Sequence, residues 1–240
     1  MRHAIVLMVL VLVPCCDRAG CGTEPSGAPR PSGRSSSLTS AERYHQEEKG
    51  PNWDVVFEED GGFNTQPNQL LVSAIAGRPA GVALDVGMGQ GRNALYLARH
   101  GWKVTGVDTS SAGMRLANVA AERAAVAMNL HTVYSDINEF DFGHERYDLI
   151  ALIYVGGASL TQRISEGLKP GGLVVVEYFH TDEERRLGRR LGAFASGELA
   201  TLYAGFTVIS SEEVRAMPDF GTEPTTLVRF VAQKPAAATR

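Results

Sequence analysis

The chain has 240 residues, 44% of them hydrophobic and 21% charged, which suits one α/β domain with a full core and some terminal excess. A formal net charge of −4 argues against a nucleic-acid substrate, whose binders carry a basic stripe, and no stretch approaches the length of a membrane-spanning helix. The three cysteines, Cys15, Cys16 and Cys21, all lie near the N-terminus, so the rest of the chain has no disulfide framework, no thiol nucleophile and no cysteine-held metal.

The first segment runs Met1-Arg2-His3, then an apolar stretch from Ala4 to Val13, then Pro14-Cys15-Cys16. A short basic start before a short apolar run predicts a signal peptide over residues 1–21, with the cysteines pointing to the lipoprotein type. Leu12-Val13-Pro14-Cys15 has proline where a small residue is usual, and Ala19-Gly20-Cys21 follows Arg18 where an aliphatic is usual, so the lipidated cysteine is left open. The expected address is the periplasm or a membrane, through an N-terminal lipid tether; a mis-assigned start would make the protein cytoplasmic instead. Residues 22–40 are rich in Ser, Pro, Gly and Arg and read as a disordered linker, residues 41–234 as the folded domain, and residues 235–240 as a disordered tail.

Within the folded region, Val82 to Val86 is an apolar run ending in glycines and predicts a buried strand. Asn93 to His100 has helical apolar spacing and is stopped by Gly101. Lys103 to Val107 predicts a second strand, and Ser110 or Ser111 caps a helix reaching about Met128. Leu130 to Tyr134 is a third strand and Tyr147 to Tyr154 a fourth, nearly all apolar as a strand covered on both faces should be. Leu160 to Leu168 is helical and stops at Lys169-Pro170-Gly171-Gly172, ahead of a fifth strand from Leu173 to Phe179. A polar, then amphipathic helical region comes next, with further strands at Phe206 to Ile209 and Leu227 to Gln233. This alternation predicts a Rossmann-like, doubly wound α/β fold: a seven-stranded, mostly parallel sheet with helices on both faces. Ligands of such sheets bind at the carboxyl ends of the strands, where the glycine turn, Asp108, Asp136 and Tyr154 all fall.

The turn reads Asp85-Val86-Gly87-Met88-Gly89-Gln90-Gly91. A dinucleotide fingerprint needs G-x-G-x-x-G, but the glycines here are spaced G-x-G-x-G and Arg92 stands where the third dinucleotide glycine belongs. Asp-x-Gly-x-Gly-x-Gly after the first strand resembles the class I S-adenosylmethionine-dependent methyltransferases. The resemblance continues through Val104 to Asp108, Ser135-Asp136-Ile137, Tyr147 to Tyr154 and Leu168 to Glu177. More narrowly, Gly91 to Ala98 with Gly101-Trp102 is similar to the small-molecule branch that includes tellurite-resistance and thiopurine-type methyltransferases; Trp53 and Phe63 to Asn68 fit that branch loosely.

The resemblance implies S-adenosylmethionine as cofactor. Around the turn it implies contacts at Asp85, Gly87, Met88, Gly89, Gly91 and Asn93, with Asp85 suited to the cofactor's ammonium and backbone amides to its carboxylate. It further implies Asp108 and Thr109 at the ribose, Asp136 and the backbone of Ile137 at the adenine, and Ile153 near the reacting methyl. Met88 departs from the cysteine or small residue common there. Asp108 would suit the ribose of NAD equally, and Asp136 has an alternative role as a turn residue. The expected acceptor is a small molecule, with no nucleic acid and no obligate protein partner.

Methyl transfer needs alignment of donor and acceptor and exclusion of water; a base is required only when the acceptor must lose a proton. Tyr154 and His180, just past the fourth and fifth strands, are the weak candidates for a catalytic group, with a rim position as the alternative for both. Trp53, Phe57 and Phe63 could close a lid or simply pack. The run from Glu183 to Arg190 reads as a solvated helix face. The scattered histidines show no ligand pair, so no metal is expected. Two other readings stand beside the methyltransferase: a non-catalytic cofactor-binding module, and an NAD-dependent oxidoreductase.

Overall fold

The computed structural model describes residues 52–59, 64–188, 190–221 and 223–237. The predicted signal peptide, the linker and Phe63 lie outside those residues. By internal contacts the chain divides into Met1–Asn52 and Trp53–Arg240, and the second unit carries all of the named helices and strands.

Two short helices, α1 (Trp53–Glu59) and α2 (Gln69–Ile75), precede β1 (Val82–Val86). Then come α3 (Arg92–Arg99), β2 (Lys103–Asp108), α4 (Ser111–Arg123), β3 (Leu130–Tyr134), β4 (Tyr147–Ile153), α5 (Thr161–Gly167) and β5 (Leu168–Phe179). The chain closes with α6 (Thr181–Leu187), α7 (Glu198–Leu202), β6 (Thr207–Ala216) and β7 (Thr225–Gln233). The seven strands form one sheet in the order β3-β2-β1-β4-β5-β7-β6. β7 alone runs against the rest, antiparallel to both β5 and β6.

The alternating residues of β4 show why both faces are covered. Leu149, Ala151 and Ile153 pack with Leu71 and Ile75 of α2 and Ala94, Leu97 and Ala98 of α3. Ile150 and Leu152 point the other way, into a cluster with Ile164 of α5 and Leu199 of α7. Burying each face of a parallel strand is what makes its sequence nearly continuous in apolar residues.

Three boundaries differ from the sequence expectation. α4 ends at Arg123, not near Met128, because Ala125 adopts φ 55° and the chain turns into a 3-10 segment at Ala127–Asn129. The Lys169-Pro170-Gly171-Gly172 stop is a bulge inside β5: Leu168 pairs with Tyr147, the register then jumps so that Leu173 pairs with Leu149, and Gly171 takes φ 80°. β6 runs to Ala216 rather than stopping at Ile209, because pairing with β7 supplies a ladder that its polar residues do not advertise.

The parallel register aligns the strand ends. Val86 pairs with Val107 on one side and Leu152 on the other, and Ile153 pairs with Glu177. The sheet order turns back on itself between β1 and β4, so the glycine loop and the segment after β4 flank one crevice at the carboxyl edge.

Candidate functional site

The glycine loop is braced by its own backbone. Gly87 and Met88 both donate their amides to the Val107 carbonyl, at 2.8 and 3.1 Å, and Gly91 donates to Met88 O at 2.8 Å. Gly89 donates to Asp108 Oδ2 at 2.7 Å. These four amides are thus engaged, three on β2 and one within the loop, so the loop offers a preset shape more than a set of free donors. At Gly89, φ is 53° and a Cβ would stand 2.7 Å from the Phe57 ring, so only glycine fits. Met88 turns inward and is buried, in space left by Gly106, where any Cβ would collide with the methionine sulfur.

Beneath the loop lies Asp85, 1% exposed. Its Oδ2 has no hydrogen-bond partner among the described residues. Burial pushes its carboxyl up to about 7; Arg92 and the Ala94 amide pull it down, and Asp108 adds to the rise. A buried acceptor left unpaired costs about 1–3 kcal/mol, which an incoming cationic donor would recover. An ammonium group is the natural fit for this oxygen.

Asp108 ends β2, half-buried. Oδ1 accepts the Ser110 amide at 2.7 Å and Oδ2 the Gly89 amide, so each oxygen keeps a second lone pair for a diol. Thr109 is exposed beside it. Asp136 is exposed after β3, and its Oδ1 accepts the Asn138 amide at 2.8 Å, the turn role that the sequence left open. Ile137 is half-buried against the core, and Ile153 is buried at the end of β4. Asn93 is buried, with Oδ1 accepting the Asn68 amide at 2.9 Å, so it ties α3 to the start of α2.

Across the crevice, Tyr154 follows β4 with φ 59°, a left-handed conformation costly for a bulky residue. Its hydroxyl donates to Glu177 Oε1 at 2.7 Å and accepts the Asp219 amide at 3.3 Å. Burial, then the neighbouring Glu177 charge, drives the hydroxyl far above the ordinary tyrosine range. Tyr154 is therefore a neutral donor in this arrangement, not a base. Its ring packs on Phe220 at 4.6 Å and Phe179 at 5.4 Å between centroids.

Glu177 is 1% exposed and fully engaged. Oε1 also accepts Asn68 Nδ2 at 2.7 Å, and Oε2 accepts Arg229 Nε at 2.6 Å. The latter pair arises from sheet register, because Glu177 and Arg229 are direct cross-strand partners on β5 and β7. Asp219, in the loop between β6 and β7, accepts the other Asn68 Nδ2 hydrogen at 2.8 Å and pairs with Arg92 at 2.6 Å. Sequence reasoning missed Asn68, Glu177, Asp219 and Arg229 as a group; no spacing signal links residues so far apart. Arg92 had entered only as a glycine that was absent.

His180 is a buried helix cap. Nδ1 accepts the Asp182 amide at 3.1 Å and so caps α6, while Nε2 lies 3.2 Å from Ser196 Oγ. Both ring nitrogens face structural partners. Trp53 and Phe57 stack at 5.9 Å on α1, and Phe57 is buried over Gly89 and Gly113. Asp54 of the same helix accepts Ser110 Oγ at 2.8 Å and the Ala112 amide at 2.9 Å, fastening α1 to the start of α4. Two acids of the 183–190 run depart from its solvated reading: Glu183 is buried and accepts the Thr226 amide at 3.0 Å, and half-buried Glu184 accepts the Leu191 and Ala193 amides. Among the described residues no three His, Cys, Asp or Glu side chains cluster as a metal site, and no helix is long and apolar enough to cross a membrane.

Consistent with this geometry, the family model for a methyltransferase domain matches residues 83–172. Solved structures with the same fold include a SAM-dependent methyltransferase from Methanosarcina mazei, 18% identical, covering 71% of this chain and 99% of that one at a TM-score of 0.60. TehB from Haemophilus influenzae is 22% identical, covering 76% and 67% at 0.57. The N-methyltransferase NodS from Bradyrhizobium japonicum is 20% identical, covering 70% and 93% at 0.56. No curated protein sequence matches the chain. Residues 83–172 thus match a methyltransferase domain, and the chain shares its fold with these solved methyltransferases.

Proposed function

We propose that the chain transfers a methyl group from S-adenosylmethionine to a small-molecule acceptor, with the donor held in the crevice between the glycine loop and the end of β4. When bound, the donor supplies an activated methyl on a sulfonium. Asp85 takes its ammonium, Asp108 its ribose diol, and the backbone of Gly87 to Gly91 fixes its position. Ile153 and Tyr154 bound the acceptor side. The observation that carries this reading is the buried, unpartnered Asp85 Oδ2 on β1, two residues before Gly87. A diphosphate beside this carboxylate would be repelled, which disfavours the NAD reading.

Calorimetry tests it. S-adenosylmethionine and S-adenosylhomocysteine should give saturable heats and NAD none; no heat with the first two overturns the reading. A panel of small thiols, amines and hydroxyl compounds, incubated with methyl-labelled donor, separates an enzyme from a binding module. We propose, on the N-terminal pattern alone, that residues 1–21 export the protein and that one of its cysteines carries a lipid. Fractionation of cells expressing the full chain checks this, and uncleaved protein recovered in the cytosol would overturn it.

A further inference from the structure

We infer that the β3 edge of the sheet and the face of α4 beside it form a docking surface for a second copy of this chain, with β3 pairing to β3 across a twofold axis at Thr132.

Among the described residues β3 ends the sheet, with β2 as its only strand partner. The Ser135 amide donates to the Asp108 carbonyl on β2. By strand alternation the main-chain groups of His131 and Val133 also turn to β2, and those of Leu130, Thr132 and Tyr134 turn outward. Such an outward row is a template for another strand unless the edge is blunted. The opposite edge is blunted: β6 carries Glu212, Glu213 and Arg215, and its register shifts between Val208 and Ser210. Leu130-His131-Thr132-Val133-Tyr134 has no Lys, Arg, Asp, Glu or Pro and no such shift.

The surface is complementary to itself, which selects a second copy as its occupant. Antiparallel pairing centred on Thr132 sets Thr132 against Thr132 and Leu130 against Tyr134. Thr132 then exchanges both main-chain bonds with its counterpart, and the Tyr134 amide reaches the Leu130 carbonyl; the Leu130 amide already donates to Ala127. Leu130, Thr132 and Tyr134 share the α4 face of the sheet, because Asn118 of α4 donates to Thr132 Oγ1 at 3.1 Å. Tyr134, 66% exposed, and half-buried Leu130 therefore meet there as an aromatic–aliphatic cross-strand pair.

The charges agree with the same axis. Asn118 lies beside Thr132, and Arg115 and Glu122 stand about one helical turn to either side of it, lining one open groove with Tyr134. A twofold axis there sets two copies of α4 antiparallel and brings Arg115 of each toward Glu122 of the other. Within the chain Arg115 meets only the carboxylate of Glu58, at 3.3 Å, among the described residues; both side chains are more than half exposed, so this pair holds Arg115 weakly. Val119 in the groove and Met128, 93% exposed just ahead of β3, supply apolar surface for association to cover.

Sedimentation equilibrium of the full chain up to about 100 μM should show a monomer–dimer equilibrium. The Thr132 and Tyr134 amides should be protected from hydrogen exchange in the dimer and exchange faster on dilution. Arg115→Glu alone and Glu122→Arg alone should each weaken the dimer about tenfold, because twofold symmetry counts each reversed pair twice. The double swap should return the constant to within about threefold of wild type, which loss of the Glu58 contact or a general effect on folding would not do. Thr132→Pro should abolish the dimer with little change in melting temperature, since the amide it removes faces away from β2. Should that variant fail to fold, the charge swaps and the exchange pattern decide. A wild-type chain that stays monomeric overturns the inference; slow β3 amides in that monomer would place another segment of this chain on the edge. A dimer that ignores the single swaps, is not restored by the double swap, or leaves the β3 amides exchanging freely joins through another face and overturns it too.

Discussion

The stretch from Asp85 to Ser110 forms the donor side of the crevice and is held mainly by main-chain groups: amides on the Val107 and Met88 carbonyls, and amides on Asp108. The opposite side is held by side chains, with Glu177 and Asp219 at the centre, Asn68, Tyr154 and Arg229 around them, and Arg92 reaching across from the donor stretch. Among the described residues the donor side leaves Asp85 Oδ2 unpaired, whereas both oxygens of the Glu177 carboxylate are engaged. A satisfied network rigidifies, and an unsatisfied buried carboxylate waits for a ligand. The contrast sets a braced wall against one that carries an unsatisfied acid.

The strongest way to break this contrast is Glu177→Ala. It strands Asn68, the Tyr154 hydroxyl and Arg229 at once, and unpairing a buried ion pair costs about 3–5 kcal/mol. Urea denaturation should record a loss of that size; a change under about 1 kcal/mol would mean that the network is ornamental.

Next in size is Asp108→Ala, which removes the acceptor of the Gly89 and Ser110 amides. Hydrogen bonds to charged groups are worth about 1.5–3 kcal/mol each, so S-adenosylhomocysteine affinity should fall by at least about 30-fold in calorimetry. Unchanged affinity would show that neither loop anchoring nor the ribose assignment holds.

The pH dependence of Asp85 comes third. Its carboxyl is raised to about 7, so the folded state holds the proton more tightly than the unfolded chain does. The cost of ionising it is absent below the unfolded value, near pH 4, and grows to about 4 kcal/mol as pH rises through about 7. A bound ammonium relieves that cost. The melting-temperature gain given by saturating S-adenosylhomocysteine should therefore be larger at pH 8 than at pH 6, and an equal or smaller gain would remove Asp85 from the ammonium site.

Tyr154→Phe should have the smallest effect. It deletes one donor to Glu177 and the acceptor of the Asp219 amide, for about 1 kcal/mol of stability. Donor affinity should stay within about twofold of wild type by calorimetry. A loss of tenfold or more would place the hydroxyl on the donor rather than in the bracing network.

Much of the donor side was legible because it is local. The periodic runs marked β1 to β4 within a residue or so, and the glycine spacing with Asp85 and Asp108 set the loop apart from a dinucleotide turn. Asn93 braces Asn68, and the Asp136 carboxylate bends into its own turn, since short polar side chains satisfy the nearest free amide first. The His180 ring caps α6, a role that depends on where the backbone after β5 turns.

Hydrophobic period and glycine placement act over a few residues, so the order of amino acids alone dictates the alternating α/β architecture, the loop and the acids that end its strands. The other wall of the crevice comes into being only when the chain folds. Glu177 meets Arg229 through antiparallel register, and Asp219 meets Arg92 and Asn68 through a loop that closes more than a hundred residues later. Such pairings are set by sheet order and loop return, and neither leaves a trace in local spacing.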